Sequence, residues 1–94
     1  MIEVTQTGKS DPLEFNVLVS DGNGETRHRV TVARGDCEKL TRGTCPPERC
    51  IEAAFHFLLE REPKEAILAS FDVTVISRYF PEFEKELPRY IAQS

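Results

Sequence analysis

The chain has 94 residues, of which 39% are hydrophobic and 30% are charged. This composition is typical of globular proteins, and it predicts one domain covering residues 1–94 rather than a disordered chain. The formal net charge of −4 is spread evenly over the two halves of the chain, which argues against non-specific binding to nucleic acids or membranes.

The amino-terminal residues have neither the basic stretch nor the apolar stretch of a secretory signal peptide. Apolar runs are four residues long or shorter, so we predict no membrane-spanning segment. The cysteines number three, and an odd count fits reduced thiols better than a disulfide framework. We therefore expect a cytoplasmic location.

The first third of the chain alternates apolar and polar residues, which predicts strands at 2–7, 13–20 and 26–33. Asn23-Gly24 is a favoured pair for a two-residue type I′ turn, so we place the β-hairpin turn there. This register sets Val19 opposite His28. It also brings the apolar residues of both strands to one face, namely Phe15, Val17, Val19, Val30 and Val32.

Residues 34–47 contain two glycines and two prolines, and predict a long connection with a short helical piece around Cys37–Thr41. A helix should then begin at Pro46 or Pro47, because proline is well placed in a first turn. Proline at 63 should end it near Glu62. Its apolar stripe consists of Ile51, Ala54, Phe55, Leu58 and Leu59.

After Pro63 we predict a short helix over 64–70, with Ile67 and Leu68 turned inward. A third helix should begin at Val73 with Asp72 as its N-cap. The β-branched residues at 73–76 make a strand over 73–77 an alternative. We favour the helix because helical spacing continues through Val73, Ile76, Phe80, Phe83, Leu87 and Tyr90.

Two prolines interrupt this last segment. Pro81 should kink or restart the helix, and Pro88 should begin a final turn. Together the elements predict an α+β fold, in which a small antiparallel sheet is packed on one face by three to four C-terminal helices. Residues 1–34 form the three-strand β-meander and residues 46–92 form the helical part.

Zinc-binding residue types occur at Cys37, Cys45, Cys50 and His56. Seven, four and five residues separate them, and these spacings match no common structural zinc pattern. We interpret the cysteines as packed or idle thiols. No catalytic motif and no glycine-rich phosphate loop is present, so we predict no catalytic residue, no cofactor and no metal.

Five residues form the predicted interaction surface: Arg27, Arg29, Arg78, Tyr79 and Tyr90. Arg27 and Arg29 lie on the outer face of the third strand, where they could meet an acidic partner or simply be solvated. The aromatic cluster near the carboxyl end either completes the core or is exposed for binding. Within it we assign Phe80 and Phe83 to the core and Tyr79 to the surface.

Residues 64–80 also allow a helix–turn–helix interpretation, with a turn at 70–72 and a reading helix at 73–80. DNA readers need polar and basic side chains on that helix, and here only Thr74, Ser77 and Arg78 are available. Residues 60–72 hold four acids and two bases, a balance that would repel phosphates.

The chain resembles small stand-alone bacterial proteins of uncharacterised function. The resemblance lies in the segments 54–65 and 76–84 and in the strand pattern of 26–32 ahead of them. This resemblance implies no activity and no site residues. We interpret the chain as a cytosolic bacterial protein-interaction or regulatory module without catalysis, whose partner is another protein or a second copy. The alternative is a nucleic-acid-binding regulator using 64–80. We do not expect nucleic acid or a membrane as a partner.

Overall fold

The computed structural model of the protein describes residues 1–93. Within them the fold is α+β, with a four-stranded mixed sheet and four helices. The strands are β1 (Ile2–Gly8), β2 (Leu13–Asp21), β3 (Gly24–Val32) and β4 (Ser70–Asp72). The helices are α1 (Arg34–Thr41), α2 (Pro47–Leu59), α3 (Thr74–Tyr79) and α4 (Phe83–Ala92), and a short 3-10 turn covers Lys64–Ala66.

The strand order is β1-β2-β3-β4. β1 to β3 form the predicted antiparallel meander, but β4 adds to β3 in parallel, so the prediction of a purely antiparallel three-stranded sheet was incomplete. Two backbone hydrogen bonds extend the pairing of β3 with β4. Arg29 N–H donates to the Ala69 carbonyl over 2.8 Å, and Val73 N–H donates to the Thr31 carbonyl over 2.9 Å. Phe71, at its centre, is buried.

The hairpin turn lies one residue earlier than predicted, at Gly22-Asn23, because Asp21 pairs with Gly24. Val19 is therefore opposite Thr26, and His28 is opposite Val17. A type I′ turn needs positive φ at both central residues, whereas here positive φ occurs at Gly24, beyond the turn. The side chain of Asp21 closes the turn instead, since its Oδ1 accepts from Asn23 N–H over 2.7 Å.

The observed pairing differs from the predicted one by two residues. Because side chains alternate between the two faces, the predicted inner and outer faces are still observed. The inner face of β2 and β3 is buried, and the outer face, which includes Asn16, Arg27 and Arg29, is exposed. α2 begins at Pro47 as predicted, and its buried side chains, Cys50, Ile51, Ala54, Phe55, Phe57 and Leu58, belong to the common core. Complete burial of a large apolar side chain contributes about 1.5–3 kcal/mol.

The segment after α2 differs from the predicted helix over 64–70. Only the 3-10 turn forms, and the chain then becomes extended into β4. In an extended chain, neighbouring side chains point to opposite sides. Ile67 is therefore buried while Leu68 is 48% exposed, which corrects the prediction that both point inward.

Residues 74–79 form α3, so the preference for helix over strand in 73–77 is confirmed. Pro81 separates α3 from α4 as predicted. Pro88 lies inside α4 rather than at the start of a new turn. Its ring is on the exposed side, where the carbonyl that it leaves without an N–H donor can bond to water.

The predicted apolar stripe of the C-terminal segment is buried at Val73, Ile76, Phe83, Leu87 and Tyr90, and half-buried at Phe80. It extends over two helices, because the helix restarts after Pro81. None of the helices within residues 1–93 is both long enough and apolar enough to cross a membrane.

Candidate functional site: an apolar groove beside the parallel strand

An apolar groove of about 320 Å³ opens between the end of α2, the 3-10 turn, β4 and α3. Its walls include Leu58, Ile67, Leu68, Phe71, Val75 and Tyr79. Two of these side chains are large and exposed, with Leu68 at 48% and Tyr79 at 68%. The groove therefore concentrates apolar surface in contact with water at one edge of the sheet.

The local sequence explains how the two exposed side chains come together. Pro63 follows the end of α2 and starts the 3-10 turn, after which the alternation of an extended chain turns Leu68 outward. Asp72 then stops the strand and starts α3, because its Oδ1 accepts from Thr74 N–H over 3.0 Å and from the Thr74 hydroxyl over 2.8 Å. α3 carries Tyr79 into the lining of the same groove.

The turn before the groove is fixed by a buried cation. Lys64 is 3% exposed, and its Nζ is 3.0 Å from Asp21 in the hairpin turn and also contacts Glu65. Hydrogen bonds to Glu65 and to Asp21 raise the pKa of Lys64. The pKa of Asp21 is lowered by the Asn23 N–H and then by Lys64. This contact holds the hairpin against the start of the groove.

One charged residue lines the groove among the described residues, namely Glu62. The neighbouring residue in sequence, Arg61, does not line the groove, because its side chain packs against core residues. Its guanidinium is 3.6 Å from the centroid of the Phe57 ring and donates to Glu82 over 3.2 Å. The charge available to a ligand in the groove is therefore negative.

Tyr79 is exposed as predicted and lies in the groove. Tyr90, by contrast, is fully buried, so its assignment to an interaction surface was wrong. Its hydroxyl donates to Glu60 over 2.8 Å and accepts from Arg61 over 3.2 Å, and its ring packs edge-on against Phe57. A buried tyrosine keeps its polar tip bonded in this way, and Tyr90 joins α4 to α2.

The three predicted arginines are exposed but do not belong to the groove. Arg27 and Arg29 share the outer face of the sheet with Glu3 and Asn16, and Arg27 is 3.3 Å from Glu25. Arg78 is exposed on α3. The structure thus distributes the five predicted interaction residues over the sheet face, α3 and the core.

The helix–turn–helix interpretation of 64–80 has no first helix to support it. This segment consists of the 3-10 turn, the strand β4 and the six-residue helix α3. The segment that would precede a reading helix is part of the sheet.

The three cysteines are free, with Cys37 and Cys50 buried and Cys45 half-buried. Burial raises the pKa of Cys50 to about 12 and also raises the pKa values of Cys37 and Cys45. The buried thiols of Cys37 and Cys50 are therefore poor nucleophiles. Residues 1–93 contain no group of three or more His, Cys, Asp or Glu side chains placed to hold a metal ion.

Leu68 is the site residue that sequence reasoning missed. A signal for it exists in the triplet Ser70-Phe71-Asp72, where one large apolar residue stands between two polar ones. Had this triplet been assigned to a strand, the helix predicted over 64–70 would have been shortened and Leu68 would not have been assigned to its inner side.

Comparisons with known proteins add no family or neighbour. Neither the family models, nor the curated proteins, nor the solved structures match this chain. The groove is therefore the feature of this chain from which a function can be inferred.

Proposed function

We propose that this chain is a protein-interaction module without catalysis, and that it binds an apolar segment of a partner protein in the apolar groove. The observation that carries the proposal is the position of Leu68 and Tyr79, two large exposed apolar side chains on the rims of one groove. Single exposed apolar residues are common on proteins, but a cluster around a concavity is typical of a binding surface.

The rims are supported from beneath, which favours binding. Leu68 is held through its carbonyl by His28, and α3 is held by the Asp72 cap. A surface that is already ordered loses less conformational entropy when a partner binds. Tyrosine also contributes more than most residues to protein interfaces, so Tyr79 is the proposed anchor.

The groove indicates the chemistry of the bound segment. Its apolar walls fit large aliphatic or aromatic side chains, and Glu62 supplies a negative charge within the lining. The proposed ligand is therefore an apolar stretch that carries a lysine or arginine nearby. The free cysteines support a reducing compartment, so the proposal places the chain in the bacterial cytoplasm.

A displayed peptide library selected against the purified protein tests this proposal. We expect the selected peptides to combine large apolar residues with a nearby basic residue. Tyr79→Ala and Leu68→Ser should weaken their binding at least tenfold, because the rims supply most of the contact area. Glu62→Gln should weaken only the peptides that carry the basic residue.

Leu18→Ser is the matched control, since Leu18 is a half-buried leucine on the outer face of the sheet, away from the groove. Its affinity for the selected peptides should equal that of the wild type. Peptides that bind all three groove variants as tightly as the wild type would show that the groove is not the binding site.

A further inference from the structure

The outer edge of β1 has unpaired backbone groups at regular positions. Met1 and Ser20 exchange two hydrogen bonds, with N–H···O distances of 2.6 and 2.9 Å. In an antiparallel ladder such exchanging pairs alternate with pairs that point their N–H and C=O groups away from each other. The backbone groups of Ile2, Val4 and Gln6 therefore point out of the sheet, until the register shifts between Gln6 and Gly8.

Before the register shift at Gln6, this edge carries few of the usual protections against pairing with another chain. Within residues 1–93, β1 has one neighbouring strand, β2. Its sequence, Ile-Glu-Val-Thr-Gln-Thr-Gly, contains neither proline nor lysine, the residues that commonly block an edge strand. Its single charge is Glu3.

Space for the side chains of an added strand lies beside the edge, on the side of the sheet that carries the helices. A cavity of about 350 Å³ is lined by Ile2 and Val4 from β1 and by Pro46, Glu48, Arg49 and Glu52 from α2 and the residue before it. An incoming strand would place every second side chain in this cavity. Beside Ile2 and Val4, the best match is an incoming strand with apolar residues at alternate positions.

β1 itself has apolar residues at two alternate positions, Ile2 and Val4. We propose that β1 pairs antiparallel with β1 of a second copy about a two-fold axis at Val4, which joins the two sheets into one. Val4 then faces the partner's Val4, and Ile2 faces the partner's Gln6, so that all the outward groups of the regular part of the strand are bonded.

The charge on β1 disfavours a competing register. With the axis at Val4, Glu3 faces the partner's Thr5. If the pairing were shifted by two residues, the two-fold axis would lie at Glu3. Glu3 would then face the partner's Glu3, and directly opposed like charges destabilise a sheet. The apolar groove lies beside β4, at the other edge, so the proposed dimer leaves it open and does not depend on the proposed function.

Charge variants at Thr5 test both the dimer and its register. Thr5→Lys would face the partner's Glu3 twice in the symmetric dimer and should tighten dimerisation about fivefold, whereas Thr5→Glu should weaken it by a similar factor. Sedimentation of the full chain over a range of concentrations measures both. Ser70→Lys and Ser70→Glu change the net charge equally but lie in β4, three strands away, and should show smaller effects than the Thr5 variants.

Disulfide formation provides a second test on exposed positions. Residues 3 and 5 of opposite copies form a non-hydrogen-bonded pair with Cα atoms about 4.5 Å apart, which suits a disulfide. In a Cys45→Ser background, a mixture of Glu3→Cys and Thr5→Cys chains should cross-link faster than either variant alone. A chain that stays monomeric at every concentration, or a dimer that ignores both the Thr5 charge and this cysteine pairing, would overturn the proposal.

Discussion

The imidazole Nδ1 of His28 donates a hydrogen bond to the carbonyl oxygen of Leu68, 2.7 Å away. The donor is assigned to the ring because a carbonyl oxygen can only accept. The other ring nitrogen lies 2.8 Å from the Thr26 hydroxyl, and the ring packs against Phe55 with 5.3 Å between centroids. One buried side chain of β3 thus fixes the residue that forms a rim of the groove.

His28→Ala should lower the free energy of unfolding by about 2–3 kcal/mol, because it removes two hydrogen bonds and leaves a cavity beside Phe55. Urea denaturation measures this change. The amide of Arg29, which bonds to Ala69 next to Leu68, should also exchange its hydrogen faster. His56→Ala is the control, since His56 is exposed and should change stability by less than about 0.5 kcal/mol. Equal losses in the two variants would contradict the role assigned to His28.

Asp72 makes the stability depend on pH. Burial raises the pKa of Asp72, but the hydrogen bonds from Thr31 and from the Thr74 amide and hydroxyl outweigh it and hold that pKa below the usual 3.8. The folded state therefore binds the proton less tightly than the unfolded state does. The stability that results is present above the unfolded pKa and is lost as the pH falls through the folded pKa.

Asp72→Asn should therefore reduce the free energy of unfolding by about 1 kcal/mol near neutral pH, because it removes the charge from the hydrogen bonds with Thr31 and Thr74. The gap between variant and wild type should shrink as the pH is lowered below the usual carboxyl pKa of 3.8. Denaturation curves recorded over a pH series measure it. Glu38→Gln, which removes an exposed carboxylate, is the control. Its free energy of unfolding should differ little from that of the wild type at every pH. A gap for Asp72→Asn that stays constant or widens in acid would refute this assignment.

The thiols should react at very different rates. Cys45 is half-buried, whereas Cys37 and Cys50 are buried and the pKa of Cys50 is raised to about 12. With a thiol-reactive dye at mildly alkaline pH, we expect one fast-reacting thiol in the folded protein and reaction of the remainder only on unfolding. Cys45→Ser should remove the fast phase and leave the slow one. A fast phase that survives this substitution would mean that the buried pair is accessible.

The faces of the meander and the stripe of α2 could be predicted because they follow from local periodicity. The hairpin register could not. A shift of two residues keeps every side chain on its face, so the apolar pattern fits both pairings equally well. What favours the observed turn is the side chain of Asp21, which bonds to Asn23 and also to Lys64, far along the chain.

β4 and the groove were missed for a related reason. The strand has three residues, too few to show a period, and its existence depends on pairing with residues 29–31. Tyr79 could be assigned to the surface because the C-terminal segment has more aromatic residues than its core can cover. Leu68 could not, since the inward or outward position of each member of an adjacent Ile-Leu pair depends on whether the backbone is helical or extended.

The parallel pairing of β3 with β4 also sets an order of assembly. Thr31 and Asp72 are 41 positions apart in sequence, whereas the hairpin partners are close together. The entropy cost of closing the long loop therefore delays the pairing of β4, but not the formation of the meander. During synthesis, the edge of β3 that pairs with β4 stays unpaired until the whole of α2 and then β4 have been made. The wall of the groove is then the last part of the sheet to be completed, and under mild denaturant it should be the first to open.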